Sequence, residues 1–284
     1  MNSRIAVILC VALLFLCGLA PSLASAQAAP TLQPVADKQS VLGHARASYY
    51  NLRSEGLASF QCNIIPDWQV LLAEQRKANP EGVDAAIRIL SQIRFTVTLD
   101  SDGKVQLTHN ELAGQSDEMN KALAQIYGGM EQMTSGFFDT WKVFMLSPPL
   151  PEVSSEFQLA SAANQYQLSY KEAAAAVATT LNKDFSVADM KIRTADFDST
   201  IQPSFTKAPN GFVLSAYNAT YKSANPGETA QLKVLIDYQE LEGLQMLRNL
   251  NLSGTYGGTP FAVQLAFSDY QIAKSPAPKT QARN

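Results

Sequence analysis

The spacing of apolar positions changes several times along the chain, and each change marks an element. From Asp37 to Arg53, Val41, Ala45, Tyr49 and Leu52 recur at spacings of four, four and three, which predicts a first helix. Gly56 ends it. The period then drops to two: Ala58, Phe60, Cys62 and Ile64 alternate with polar residues, the mark of a half-buried strand. Trp68–Lys77 and Glu81–Gln92 read as two short helices separated by Asn79-Pro80. Phe95, Val97 and Leu99 alternate into Asp100-Ser101-Asp102-Gly103, and Val105 and Leu107 alternate out, which predicts a hairpin.

Ser116 to Leu146 carries the longest periodic pattern. Met119, Leu123, Ile126, Met130, Met133, Phe137, Trp141 and Phe144 span 25 residues in seven steps, close to the ~3.6 residues of a helical turn. Unbroken, this helix would be on the order of 40 Å long. Gly128-Gly129 predicts a bend or interruption within it, and Pro148-Pro149 with Pro151 ends it.

Beyond Glu156 the pattern is mainly that of strands. Phe157 and Leu159 lead to a turn near Ala163-Asn164, and Tyr166, Leu168 and Tyr170 lead away. Ala173–Ala176 fits either a short helical turn or a small-residue strand. Met190–Thr194, Phe212–Tyr221, Gln231–Tyr238, Leu244–Leu252 and Phe261–Tyr270 follow as strands, separated by Asn-, Pro- and Gly-rich turns. No internal repeat is present. The order predicts an α+β fold: a strongly curved antiparallel sheet, an incomplete barrel, with helices covering one face.

The first 26 residues refine this picture. Arg4 precedes an apolar run from Ile5 to Leu19, and Ala24-Ser25-Ala26 supplies a small-x-small cleavage pattern, so residues 1–26 read as a secretory signal peptide. The alternative, a transmembrane anchor, is opposed by an apolar run short of the roughly 20 residues a bilayer requires and by Pro21 directly after it. Lipidation at Cys10 or Cys17 is opposed by Leu9 and Leu16, where a small residue is needed. The organisation expected is therefore a signal peptide (1–26), a flexible leader (27–36), a single half-barrel domain (37–273) and a disordered tail (274–284). Export implies the periplasm of a bacterial envelope, with the extracellular space as the alternative. Only Cys62 lies beyond the signal segment, so no intrachain disulfide can staple the domain and its stability must come from an apolar core. In its alternating stretch Cys62 reads as a small buried hydrophobe.

With 22 Lys and Arg against 25 Asp and Glu, the chain lacks the basic surplus of a nucleic-acid binder. Its chemistry is sparse too. His44 and His109 belong to no metal-ligand spacing, and no nucleophile elbow, Walker loop or dinucleotide glycine motif occurs, so neither a cofactor nor a metal is expected. Asp100-Ser101-Asp102-Gly103 resembles the start of a calcium loop but lacks its further acidic positions and closing Glu. Asp196 and Asp198 would share a strand face, as paired carboxylates can in glycosidases, or simply be solvated there. Asn218-Ala219-Thr220 and Asn251-Leu252-Ser253 fit the glycosylation acceptor pattern.

The candidate ligand-binding residues are Met130, Met133, Phe137, Trp141 and Phe144 on the long helix. An apolar stripe normally packs into a core, yet flexible, polarizable methionines also suit surfaces that receive varied apolar partners. An acyl tail buried there would gain about 0.8 kcal/mol per methylene.

The segment from Val234 to Leu244, with Asp237-Tyr238 and then Glu242-Gly243-Leu244, followed by Phe261 to Phe267 and Ser268-Asp269-Tyr270, resembles the closing strands of the LolA/LolB-like periplasmic lipoprotein carriers. The helix-then-strand order from Val41 to Ile64 is similar to the beginning of that family. A proline that often follows the glycine step in the family is absent at Gln245-Met246. The resemblance covers the two ends of the chain, and no cargo-handling residue is matched. It implies an incomplete antiparallel barrel, closed on one side by helices, whose hollow takes acyl chains. The reading is an exported, non-enzymatic binding protein for a lipid or lipid-modified partner. Two alternatives stand beside it. One is an envelope interaction or sensor module whose hollow is filled by its own side chains; the other is an enzyme, which would require Asp196, Asp198, His44 or His109 to converge in one cleft.

Overall fold

The structure, a computed structural model, describes residues 32–114, 116–223 and 229–275. The expected signal peptide, residues 27–31 of the leader and residues 276–284 of the tail lie outside the described residues. The chain begins with a two-residue strand β1 (Gln33–Pro34), helix α1 (Lys38–Ala47) and strand β2 (Leu57–Pro66). Helices α2 (Trp68–Leu71), α3 (Ala73–Ala78) and α4 (Pro80–Leu90) come next, then the hairpin β3 (Phe95–Leu99) and β4 (Val105–His109) and the long helix α5 (Asp117–Met145). The rest is strand: β5 (Phe157–Ser161), β6 (Gln165–Glu172), β7 (Ala175–Asn182), β8 (Val187–Arg193), β9 (Phe197–Ala208), β10 (Gly211–Ser223), β11 (Thr229–Leu241), β12 (Leu244–Tyr256) and β13 (Thr259–Lys274).

Local chemistry sets the helix boundaries. Asp37, Asp67, Asn79 and Ser116 each cap a helix by accepting a backbone N–H, and Pro80 takes the first position of α4, where its missing donor costs nothing. Asp117 and Glu118 at the start of α5 and Lys142 near its end complement the helix dipole. The hairpin turn forms as its sequence implies. Asp100 Oδ1 accepts from the N–H groups of Asp102 and Lys104, and Gly103 adopts φ +78°.

All thirteen strands form one antiparallel sheet in the order β1-β5-β6-β7-β8-β9-β10-β11-β12-β13-β2-β3-β4, open at both edges. β5 to β13 are a continuous meander. β2 then docks on the last strand, with Ile64 opposite Phe267 and Phe60 opposite Ile272, and the β3–β4 hairpin extends the sheet beyond it. This is the α+β incomplete barrel that the pattern predicts. Period-two alternation separates the two faces. Leu159, Leu168, Thr179, Met190, Ile201 and Ala219 follow one another across neighbouring strands on the inner face, and all are buried. Polar residues such as Gln231, Lys233 and Asp237 face outward.

Several elements depart from the sequence expectation. The first helix ends at Ala47 rather than near Arg53, because Ser48–Tyr50 runs alongside the start of β10. Phe212 N donates to Ser48 O at 2.8 Å, and Tyr50 N donates to Phe212 O at 3.1 Å. Gly211 makes this approach possible: a Cβ on it would lie 2.7 Å from the Ser48 and Tyr49 backbone. Trp68–Lys77 divides into two helices at Leu72. Ala173-Ala174 is a turn, with Ala173 at φ +50°, and the alanines after it begin strand β7. β9 has no counterpart in the expected strands. Gln33–Pro34, within the expected flexible leader, pairs with β5. Finally, α5 passes through Gly128-Gly129 as uninterrupted helix.

Candidate functional site

The site is the hollow of the curved sheet, and α5 fills it. Phe137, Phe138, Trp141, Phe144 and Met145 repeat at helical spacing and are all buried. Phe138 meets the rings of Phe60 on β2 and Phe267 on β13, and Trp141 meets Phe60 edge-on at 6.5 Å. Phe144 packs on Phe205 of β9 at 6.0 Å. The C-terminal half of α5 thus spans the inner face from β2 across to β9.

Polar groups fix its position. The Trp141 indole N–H donates to the Tyr238 hydroxyl at 3.1 Å, and the hydroxyls of Thr140 and Tyr221 are 3.2 Å apart. Tyr270 donates to Leu247 O at 2.8 Å. Burial pushes the Tyr217, Tyr238 and Tyr270 hydroxyls well above their ordinary range, raises that of Tyr221, and takes the Cys62 thiol up to about 12. These groups therefore stay protonated and neutral at physiological pH. The inner-facing positions of Tyr221 and Tyr238 are part of the strand alternation, which reads as packing and gives no hint of their hydrogen bonds to the helix.

The N-terminal half of α5 is held differently. Its ring contacts are with the edge hairpin: Tyr127 stacks on His109 of β4 at 3.6 Å and meets Phe95 of β3 at 6.3 Å. Leu123 and Met130 are buried beside them, whereas Met119, Ile126 and Met133 are only partly covered. Between the halves lie Gly128 and Gly129, and Gly136 lies two residues into the second half, residues 134–145. No atom lies within 4 Å of where a Cβ would sit on any of the three. Packing therefore does not require glycine at these positions, and each lowers helix propensity by about 1 kcal/mol relative to Ala. Among the described residues, three buried side-chain polar atoms lack a hydrogen-bond partner, and two of them, Tyr127 Oη and Thr134 Oγ1, belong to α5 on either side of this junction.

Of the candidate ligand-binding residues, Met130, Phe137, Trp141 and Phe144 are at most 4% exposed, and Met133 is partly buried against the core. In this arrangement they are packed core side chains. None of them lines either of two grooves found elsewhere. One, of about 650 Å³, lies between residues 32–38 and β5–β8; the other, of about 800 Å³, lies over β11–β13.

The candidate catalytic groups do not come together. His44 is exposed on α1, Asp196 is exposed in the turn before β9, and Asp198 is exposed and paired with Arg193 at 2.7 Å. His109 is on the edge strand β4, against Tyr127. Among the described residues no group of three or more His, Cys, Asp or Glu side chains could hold a metal ion, and no helix is long and apolar enough to cross a membrane.

The chain matches no protein-family model, no curated protein and no solved structure. The hollow and its helix are therefore interpreted from their own chemistry.

Proposed function

We propose that the protein is an exported, non-enzymatic binding protein of a bacterial envelope, whose half-barrel takes an acyl chain or a lipid-modified partner when part of α5 moves aside. The observation that carries this reading is the unequal attachment of the two halves of one helix. Residues 134–145 are locked across the inner face by aromatic packing and by the Thr140 and Trp141 hydrogen bonds. Residues 117–127 make their ring contacts with the edge hairpin alone, through Tyr127. The glycine pair and the unpartnered Tyr127 and Thr134 hydroxyls lie where the two halves meet. Displacing the first half would uncover Phe95, Val97 and Leu107 on the edge hairpin, an apolar surface suited to a methylene chain.

A second reading, an interaction module with a permanently self-filled hollow, is favoured by one observation. Trp141 and Phe144 are fully buried in the stripe. Purification without detergent, lipid extraction and titration with a fluorescent fatty acid separate the two readings. Saturable binding of about one acyl chain per protein supports the carrier. An acyl-free preparation that also fails to bind the probe rejects it in favour of the interaction module.

A further inference from the structure

The outward face of the sheet carries a second concavity, unrelated to the hollow. Its floor is a patch of registered neighbours on β11, β12, β13 and β2: Asn251 lies opposite Gln264, Asp237 opposite Asn249, and Ala266 opposite both Asn249 and Ile65. The start of α2, at Asp67 and Gln69, and the end of α4, at Ile87 and Ser91, wall it to a volume of about 800 Å³. That lies within the ~300–1,000 Å³ of small-molecule sites.

The lining is rich in amides and poor in free charge. It includes no Lys or Arg. Both of its carboxylates are engaged: Asp67 accepts the Gln69 and Val70 N–H groups, and Asp237 pairs with Arg248 at 2.6 Å and accepts from Asn249. The side-chain amides of Gln69, Asn251 and Gln264, by contrast, have no hydrogen-bond partner among the described residues, and all three residues are exposed. Each amide offers donors and an acceptor in one plane, an arrangement matched by adjacent hydroxyls on a sugar ring. Ile65, 55% exposed and in the same groove, presents an apolar surface to the C–H face of such a ring. An anionic ligand would meet two carboxylates and no lining cation. An acyl chain would meet Asn and Gln whose hydrogen bonds it could not replace.

We propose that this outward groove binds an uncharged oligosaccharide, with Gln69, Asn251 and Gln264 bonding its hydroxyls and Ile65 packing on a ring face. The test is calorimetric titration of the purified protein with maltotriose, cellotriose and chitotriose, with trigalacturonic acid as the acidic counterpart. The expected result is saturable one-to-one binding of at least one neutral trisaccharide, weakened about tenfold or more by the double substitution Asn251→Ala/Gln264→Ala. Both side chains are exposed, so circular dichroism should show the fold unchanged in that variant. The proposal is overturned if no neutral trisaccharide binds at about 10 mM, if the double variant binds as well as the parent, or if the acidic sugar binds more tightly.

Discussion

Trp141 on α5 donates its indole N–H to the hydroxyl of Tyr238 on β11 at 3.1 Å, deep in the hollow of the sheet. This bond fixes the depth and rotation of the helix on the strands. Trp141→Phe keeps most of the packing but leaves the Tyr238 hydroxyl without its donor, at an expected loss of about 2 kcal/mol. Urea unfolding should show a lower midpoint with an unchanged slope. A midpoint equal to that of the parent would mean that the bond does not hold the helix.

The glycines of α5 predict the opposite sign. With open space around Gly128, Gly129 and Gly136, replacing any one by Ala should stabilise the protein by up to about 1 kcal/mol. Gly211→Ala should destabilise it, since the added Cβ meets the Ser48–Tyr50 backbone at 2.7 Å and φ there is +121°. Thermal melts of the four single variants check both signs. On the carrier reading, Gly128→Ala/Gly129→Ala should also slow uptake of a fluorescent fatty acid.

How much of this was legible in the sequence depended on which force set each element. Local signals were enough for α5, whose period and Ser116 cap are both visible, and for the β3–β4 hairpin with its Asp100 turn. β9 was not legible because its inner face includes Ser199 and Pro203 interrupts it, so the alternation never becomes strongly apolar. The end of α1 was hidden because Tyr49 and Leu52 continue the helical spacing, while the partner that pulls the chain out of the helix at Tyr49, Phe212, lies far along the chain. The stripe of Met130, Phe137, Trp141 and Phe144 was legible as one apolar face. Periodicity defines such a face but not what packs against it, so tight burial against the sheet emerged only from the fold.

Arg53 gives a test of how the edge hairpin is held to β2. Its guanidinium donates to the carbonyls of Leu57, Ala58, Asp100 and Ser101, fastening the hairpin turn to the start of β2. Arg53→Ala should cost about 2 kcal/mol or more by removing the charged donor from these carbonyls. Hydrogen exchange should localise the loosening to residues 95–109. A uniform change across the sheet would contradict this role.

Stability should fall at both extremes of pH, for opposite reasons. Hydrogen bonds from Ser186 lower the Asp184 pKa, and bonds from Arg248 and Asn249 lower that of Asp237. Their contribution is present above the unfolded carboxylate value near ~4 and is lost as pH falls through the folded values. Burial raises the Cys62 thiol to about 12 and shifts the tyrosines upward as well. Their contribution is complete below the unfolded values of ~8.5–10 and declines as pH rises past them. Urea midpoints between pH 3 and 11 (roughly the span of these groups) should form a plateau with a fall at each end. Cys62 should resist a thiol reagent near pH 8 (about its unfolded value) until the protein is unfolded.

Hydrogen exchange along α5, with and without excess fatty acid, tests the central claim most directly. The account predicts that residues 117–127 exchange faster than residues 134–145 in the free protein, and that fatty acid changes protection in the first segment and leaves the second as it was. If α5 exchanges as one unit and fatty acid alters neither segment, the helix is permanent core and the hollow is not a binding site.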